Sequence, residues 1–179
     1  MTDFQQVTVF SRGYNRDEVD DFFTRAKKAY SQGDGTMDET DVRAVVFHNQ
    51  RGGYNTQDVD AALNRLEGAF IALKRAGVIS ARGEQEWLNL AYEDAKSLYP
   101  RMLRPRGQRF AHPDRWGYKI EDVDNFVNRL AKYFDGETDL TSKDIRSVTF
   151  KEAKGNKAYD EKIVDVYLER AIGVLLAVE

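Results

Sequence analysis

The side chains in this chain best suited to polar chemistry are tyrosine, aspartate and arginine, and they recur at fixed spacing. A tyrosine is followed five residues on by a branched aliphatic, six on by aspartate and eleven on by arginine. The copies are Tyr14/Val19/Asp20/Arg25, Tyr54/Val59/Asp60/Arg65, Tyr118/Val123/Asp124/Arg129 and Tyr159/Val164/Asp165/Arg170. The ninth position after the tyrosine is apolar each time (Phe23, Leu63, Val127, Leu168). A phenol, a carboxylate and a guanidinium can make hydrogen bonds and ion pairs or hold a phosphate. Equivalent placement in every copy marks them first as determinants of a repeated fold. The tyrosine is expected to pack on the first turn of its following helix and to bond through its hydroxyl. The aspartate falls near that helix's N-terminal end, where negative charge is favoured. The arginine is the member able to reach a lipid phosphate or a partner.

A second chemistry is carried by the basic stretch Arg101, Arg104, Arg106, Arg109 and Arg115, opposed locally only by Asp114 and followed by Trp116. Cations beside an exposed aromatic suit an anionic lipid surface, at about 1 kcal/mol per cation; the bland alternative is a solvated connector. Asp34-Gly35-Thr36-Met37-Asp38-Glu39 and Asp135-Gly136-Glu137-Thr138-Asp139 invite a calcium reading. They fail the EF-hand pattern, because glycine directly follows the first aspartate and no glutamate closes a loop of the right length. Turn chemistry accounts for both. His48 and His112 stand without a motif partner, and there is no cysteine, no Gly-x-Ser-x-Gly elbow and no phosphate-cradling glycine loop. A non-enzymatic protein without metal or cofactor is the expectation.

The elements that position these groups read as follows. The tyrosines pair, the first with the second and the third with the fourth. The second and fourth copies share a preamble, Met37 to Phe47 and Leu140 to Phe150; the first and third lack it before Phe10 and Phe110. Val42 to Phe47 and Ile145 to Phe150 are rich in β-branched residues and predict extended segments. Gly13, Gly52, Gly53 and Gly117 predict turns before the tyrosines. Asn15, Asn55 and Asp160 stand where helix N-caps belong, with Glu18 and Asp58 three residues beyond the asparagines; Lys119 is a poor cap. Each copy then continues as an amphipathic helix, the second with a heptad-like seam of Val59, Leu63, Leu66, Phe70 and Leu73. A further helix without the repeat spans about 81–99, with Trp87, Leu88, Ala91, Ala95 and Leu98 on one face and Pro100 as its stop.

These signals predict a mainly α fold with short extended segments: two helical-hairpin modules, each a tandem pair, joined by an extra helix. The modules are placed at 1–78 and 106–179, with a connecting helix and basic linker at 79–105. A composition of 41% hydrophobic residues is enough for such cores. A net charge of −3 implies no general attraction to nucleic acid. The lack of cysteine fits a reducing compartment. No apolar run is long enough to span a bilayer, and Met1-Thr2-Asp3-Phe4 does not read as an export signal. A cytoplasmic protein, peripheral at most to the membrane, is expected.

Arg12-Gly13-Tyr14-Asn15-Arg16-Asp17-Glu18-Val19-Asp20-Asp21-Phe22-Phe23, together with Leu140-Thr141-Ser142-Lys143-Asp144-Ile145 through Phe150, resembles the N-terminal domain of the DivIVA family. It is most similar to the actinobacterial branch in which this domain recurs without a long coiled-coil tail. The resemblance covers about two thirds of the chain. It implies a bacterial scaffold or adaptor of cell division or polar growth, at the inner face of the membrane, that recruits other division or wall-synthesis proteins. It also implies that the domain is built as an intertwined dimer, which each tandem pair here would imitate within one chain. The family's turn exposes a phenylalanine and an arginine to lipid. The corresponding positions here are Ser11-Arg12, Arg51-Gly52, Arg115-Trp116 and Asn156-Lys157. The candidate membrane or partner contacts are therefore Arg12, Arg51, Arg104, Arg106, Arg109, Arg115, Trp116 and Lys157. A soluble protein-binding module with no membrane role is the alternative.

Overall fold

The computed structural model describes residues 4–179 and divides into two units, Met1–Ala81 and Arg82–Glu179. Met1–Asp3, part of the segment read above for an export signal, lie outside the described residues. The protein is mainly helical.

The first unit runs β1 (Arg12–Tyr14), α1 (Arg16–Gln32), α2 (Glu39–Ala44), β2 (Asn49–Arg51) and α3 (Thr56–Arg82). Asn15 caps α1 by accepting the Glu18 amide, as its position predicts. Gly33 closes α1 in the left-handed conformation, with φ of 60°. β1 and β2 pair antiparallel, with Arg12 opposite Arg51 and Tyr14 opposite Asn49. Tyr14 also exchanges both backbone hydrogen bonds with Tyr54, at 3.0 and 2.9 Å. The core is Val19, Phe22, Ala26 and Ala29 of α1, Val42 and Phe47, and Tyr54, Val59 and Phe70.

The second unit opens with α4 (Glu84–Lys96) and α5 (Tyr99–Met102). It then follows the first unit's order with one strand, β5, added: β3 (Trp116–Lys119), α6 (Ile120–Phe134), α7 (Ser142–Ser147), β4 (Glu152–Lys154), β5 (Ala158–Tyr159) and α8 (Glu161–Val178). The sheet order is β4-β3-β5. Trp116 stands opposite Lys154 and Tyr118 opposite both Glu152 and Tyr159. Asp160 caps α8 by accepting the Ile163 amide. Lys119 makes no side-chain cap on α6 and instead pairs with Glu121 at 2.7 Å.

Four expectations need correction. The β-branched segments begin as short helices, because a capping box outweighs strand propensity: Asp38 and Asp41 bond each other's amides at the start of α2, as do Thr141 and Asp144 in α7. The chain becomes extended only after Ala44 and Ser147. Residues 79–105 are not a separate connector. Ala95, Leu98 and Met102 belong to the second core, and the Trp87 indole donates to the Ala177 carbonyl at 2.9 Å. Pro100 sits in the first turn of α5 rather than ending α4, and Leu88 lies 45% exposed. Finally, Phe10 is not the counterpart of Phe110. Phe10 is 90% exposed, while Phe4 packs edge-on against Tyr54 as Phe110 does against Tyr159.

Candidate functional site

Each pair of copies is held together by an exchange. The Tyr54 hydroxyl donates to Asp20 at 3.1 Å, and Tyr14 pairs with Asp60. In the second unit Tyr159 donates to Asp124 at 3.1 Å, and Tyr118 pairs with Asp165. Every repeat tyrosine thus makes its expected hydroxyl bond with the aspartate of the other copy. The phenylalanines cross in the same way: Phe47 packs on Tyr14 and Phe4 on Tyr54, Phe150 on Tyr118 and Phe110 on Tyr159. Backbone bonds follow suit, since Asn15 donates to the His48 carbonyl at 2.7 Å and Asn55 to the Gln5 carbonyl at 2.8 Å. In each unit the two copies therefore hold each other through reciprocal side-chain and backbone bonds at their tyrosines.

Glycine is required at that crossing. A methyl group on Gly13 would overlap the Tyr54 carbonyl oxygen and lie 2.9 Å from its carbon, and one on Gly117 would overlap the Tyr159 carbonyl oxygen. Gly13 and Gly117 are strand residues at a close backbone approach, not turn residues. The four branched aliphatics Val19, Val59, Val123 and Val164 are wholly buried. The four arginines, Arg25, Arg65, Arg129 and Arg170, are exposed, and Arg25 pairs with Asp21 on the surface, 2.9 Å away. They are not part of the structural core.

Burial at the crossing acts on the tyrosines. Tyr118 is pushed up to about 12, first by desolvation and then by the Asp165 charge, and Tyr14 and Tyr159 are raised with desolvation leading in each. A phenol that holds its proton more tightly when folded contributes stability below its unfolded pKa and loses it as pH rises through the folded value. Stability should therefore be retained up to the ordinary tyrosine value of 10 and be lost between there and about 12. Circular dichroism and phenolate absorbance followed together should show the fold and these phenols titrating in one transition. Simple titration of every tyrosine near the ordinary value, with the fold intact, would contradict this.

In the first acid-rich turn the Asp34 and Asp38 carboxylates bond the turn's own amides and hydroxyls. Asp34 takes the Thr36 amide and hydroxyl at 3.0 and 2.7 Å, and these bonds hold its carboxyl below the usual range. His48 lies against Glu18 at 2.9 Å, and His112 bonds the Ala158 carbonyl at 2.7 Å while stacking on Tyr159.

The candidate contact residues separate into three groups. Arg109 is buried and cannot face a membrane. It donates to the Asp124 carbonyl at 2.9 Å and to Asn128 at 2.6 Å, and lies 3.7 Å from the Asp124 carboxylate. Arg104 is tied to the Arg109 carbonyl at 3.3 Å, and Arg106, bonded to Asn125, shares an open groove with Lys119 and Lys157, whose acids are Glu121, Asp124 and Glu152. The remaining residues gather at the free end of each sheet. Arg12 and Arg51 face each other there in the first unit, like charges that repel across a strand pair. Beside them Val9 and Phe10 are 69% and 90% exposed. In the second unit Trp116 is 53% exposed, next to Arg115, with the Lys154 ammonium 4.2 Å from its ring centre.

Phe10 and Lys154 were not among the sequence candidates. Phe10 was hidden by its apparent match to Phe110. Lys154 was hidden because the fourth copy carries a short 3-10 turn, Gly155–Lys157, before its tyrosine. That turn moves the counterpart of Arg51 away from Asn156-Lys157 to Lys154. Among the described residues, no helix is long and apolar enough to cross a membrane. No family model matches this chain, and no curated protein or solved structure gives a significant match.

Proposed function

We propose that this protein is a non-enzymatic, DivIVA-like scaffold or adaptor of bacterial division or polar growth that touches anionic membrane through its two sheet ends. The observation that carries the reading is an exposed aromatic beside cations at each end: Phe10 with Arg12 and Arg51, and Trp116 with Arg115 and Lys154. The DivIVA resemblance implies a phenylalanine and an arginine at the same turn, and the intertwined tyrosine–aspartate pairs support that resemblance. Electrostatic attraction of about 1 kcal/mol per cation gives reversible, salt-sensitive binding, to which an inserted ring adds apolar burial.

Co-sedimentation with anionic vesicles at low and physiological salt tests this. Wild type should bind at low salt and weaken at physiological salt, and Phe10→Ala combined with Trp116→Ala should bind severalfold less. Failure of the wild type to sediment with vesicles would leave the soluble protein-binding module as the better reading. Equal binding by the double variant would remove the rings from the contact.

A further inference from the structure

The two units share a fold, yet only one has its outer helical face covered. In the second unit that face is made by Val127, Asn128 and Phe134 of α6 with Ala171 and Val174 of α8. Val127 and Ala171 are fully buried and Val174 is 4% exposed. The cover is the segment Glu84 to Arg109. Trp87 reaches the Ala177 carbonyl, Tyr167 donates to the Leu98 carbonyl at 3.3 Å, and the Tyr99 ring lies 5.9 Å from Phe134. Beyond α5 the chain runs back along α6 to Arg109, which bonds Asn128 and the Asp124 carbonyl and faces the Asp124 carboxylate.

The corresponding positions of the first unit are Phe23, Thr24 and Tyr30 of α1 with Leu66 and Ala69 of α3, and Asp20 stands for Asp124. Here they line an open groove of about 580 Å³, with Lys27 on its edge. Tyr30 is 42% exposed, and Phe23, Leu66 and Ala69 are only partly covered. Asp20 accepts the Tyr54 hydroxyl, as Asp124 accepts that of Tyr159, but among the described residues no arginine bonds to it.

We infer that this groove is a docking site for an amphipathic helix of a partner protein, built as α4 and α5 are. It would carry a large aromatic and small or leucine residues on one face, followed by an extended stretch whose arginine reaches Asp20. The internal duplicate is what identifies the occupant: the same surface, in the same fold, takes such a helix. A second copy of this chain has no such segment to offer, because its Trp87, Leu98 and Arg109 are already buried in its own second unit. The inference is independent of the lipid reading, since the groove lies on the helices and not at the sheet ends.

The test uses the isotope-labelled full chain titrated with a synthetic peptide of the sequence Glu84 to Arg109. Amide shifts should appear at Phe23, Thr24, Tyr30, Leu66 and Ala69. Ala69→Glu in the chain should weaken binding at least about tenfold, the loss of roughly 1.4 kcal/mol that one order of magnitude represents. Arg109→Ala in the peptide should weaken it too, and Asp20→Asn in the chain should remove that difference. The inference is overturned if the peptide leaves the groove amides unmoved, or shifts only residues of the second unit by displacing α4. It is also overturned if light scattering shows a dimer that Ala69→Glu dissociates, because a second copy would then fill the groove.

Discussion

Asp124→Ala should lower the stability of the second unit by about 3–5 kcal/mol, because removing one partner leaves the other charge buried and uncompensated. Asp124 is 1% exposed and Arg109 5%. The carboxylate also takes the Tyr159 hydroxyl at 3.1 Å and the Gly107 amide at 2.8 Å. Without it the Arg109 guanidinium keeps only neutral partners: two carbonyls and the Asn128 amide oxygen. Both tryptophans, Trp87 and Trp116, lie in the second unit, so intrinsic fluorescence reports on that unit alone. Its thermal midpoint should fall by roughly 15–30 °C for a unit of this size. Asp20→Ala, followed by circular dichroism because the first unit has no tryptophan, is the informative contrast. Asp20 is half-buried and receives a tyrosine but, among the described residues, no bonded arginine, so its loss should cost only about 1.5–3 kcal/mol, the worth of a hydrogen bond to a charged group. Equal losses at the two sites would show that the Arg109 charge is not the source of the effect.

Gly117→Ala should be nearly as damaging, at about 3 kcal/mol, the upper end of what overpacking a tight site costs. The added methyl would overlap the Tyr159 carbonyl oxygen, with Pro113 Cγ at 2.9 Å and the Tyr159 carbonyl carbon at 3.0 Å. β3 is held on both sides, by β4 and β5, so it cannot retreat from one neighbour without losing the other. In urea, the fluorescence midpoint should drop while the slope stays constant, as for a change in stability without a change in compactness. An unchanged midpoint would mean that the strands separate at little cost.

The fold was legible wherever periodicity and repetition carry the physics. The spacing identified Val19, Val59, Val123 and Val164 as core, and Asn15 and Asp160 as caps, because burial on one helix face and capping are local properties. The exchange between copies was not legible. Spacing says that Tyr14 and Tyr54 are alike, but not that each reaches the other's aspartate, a contact set by long-range pairing. The short helices α2 and α7 were misread because Val42, Val45 and Val46 resemble a strand, although Asp38 with Asp41 and Thr141 with Asp144 already spelled capping boxes. The place of Arg12, Arg51 and Trp116 at the sheet ends follows from their position before the tyrosines. Arg109 was misjudged, because in a linear run it cannot be told from its solvated neighbours. The open groove became visible only once α4 and α5 were seen lying on its duplicate.

The crossing of the copies has a thermodynamic consequence. Two chains that interlock in this way fold only as fast and as firmly as their concentration permits. Here the partner copy is tied on by the short link between Gln32 and Glu39. A tether of that length holds it at an effective concentration in the millimolar range. Each unit should therefore stay assembled at any dilution. The tether also frees the two copies of a unit from being identical, so that tryptophan on one strand can stand opposite lysine on the other, as Trp116 does opposite Lys154.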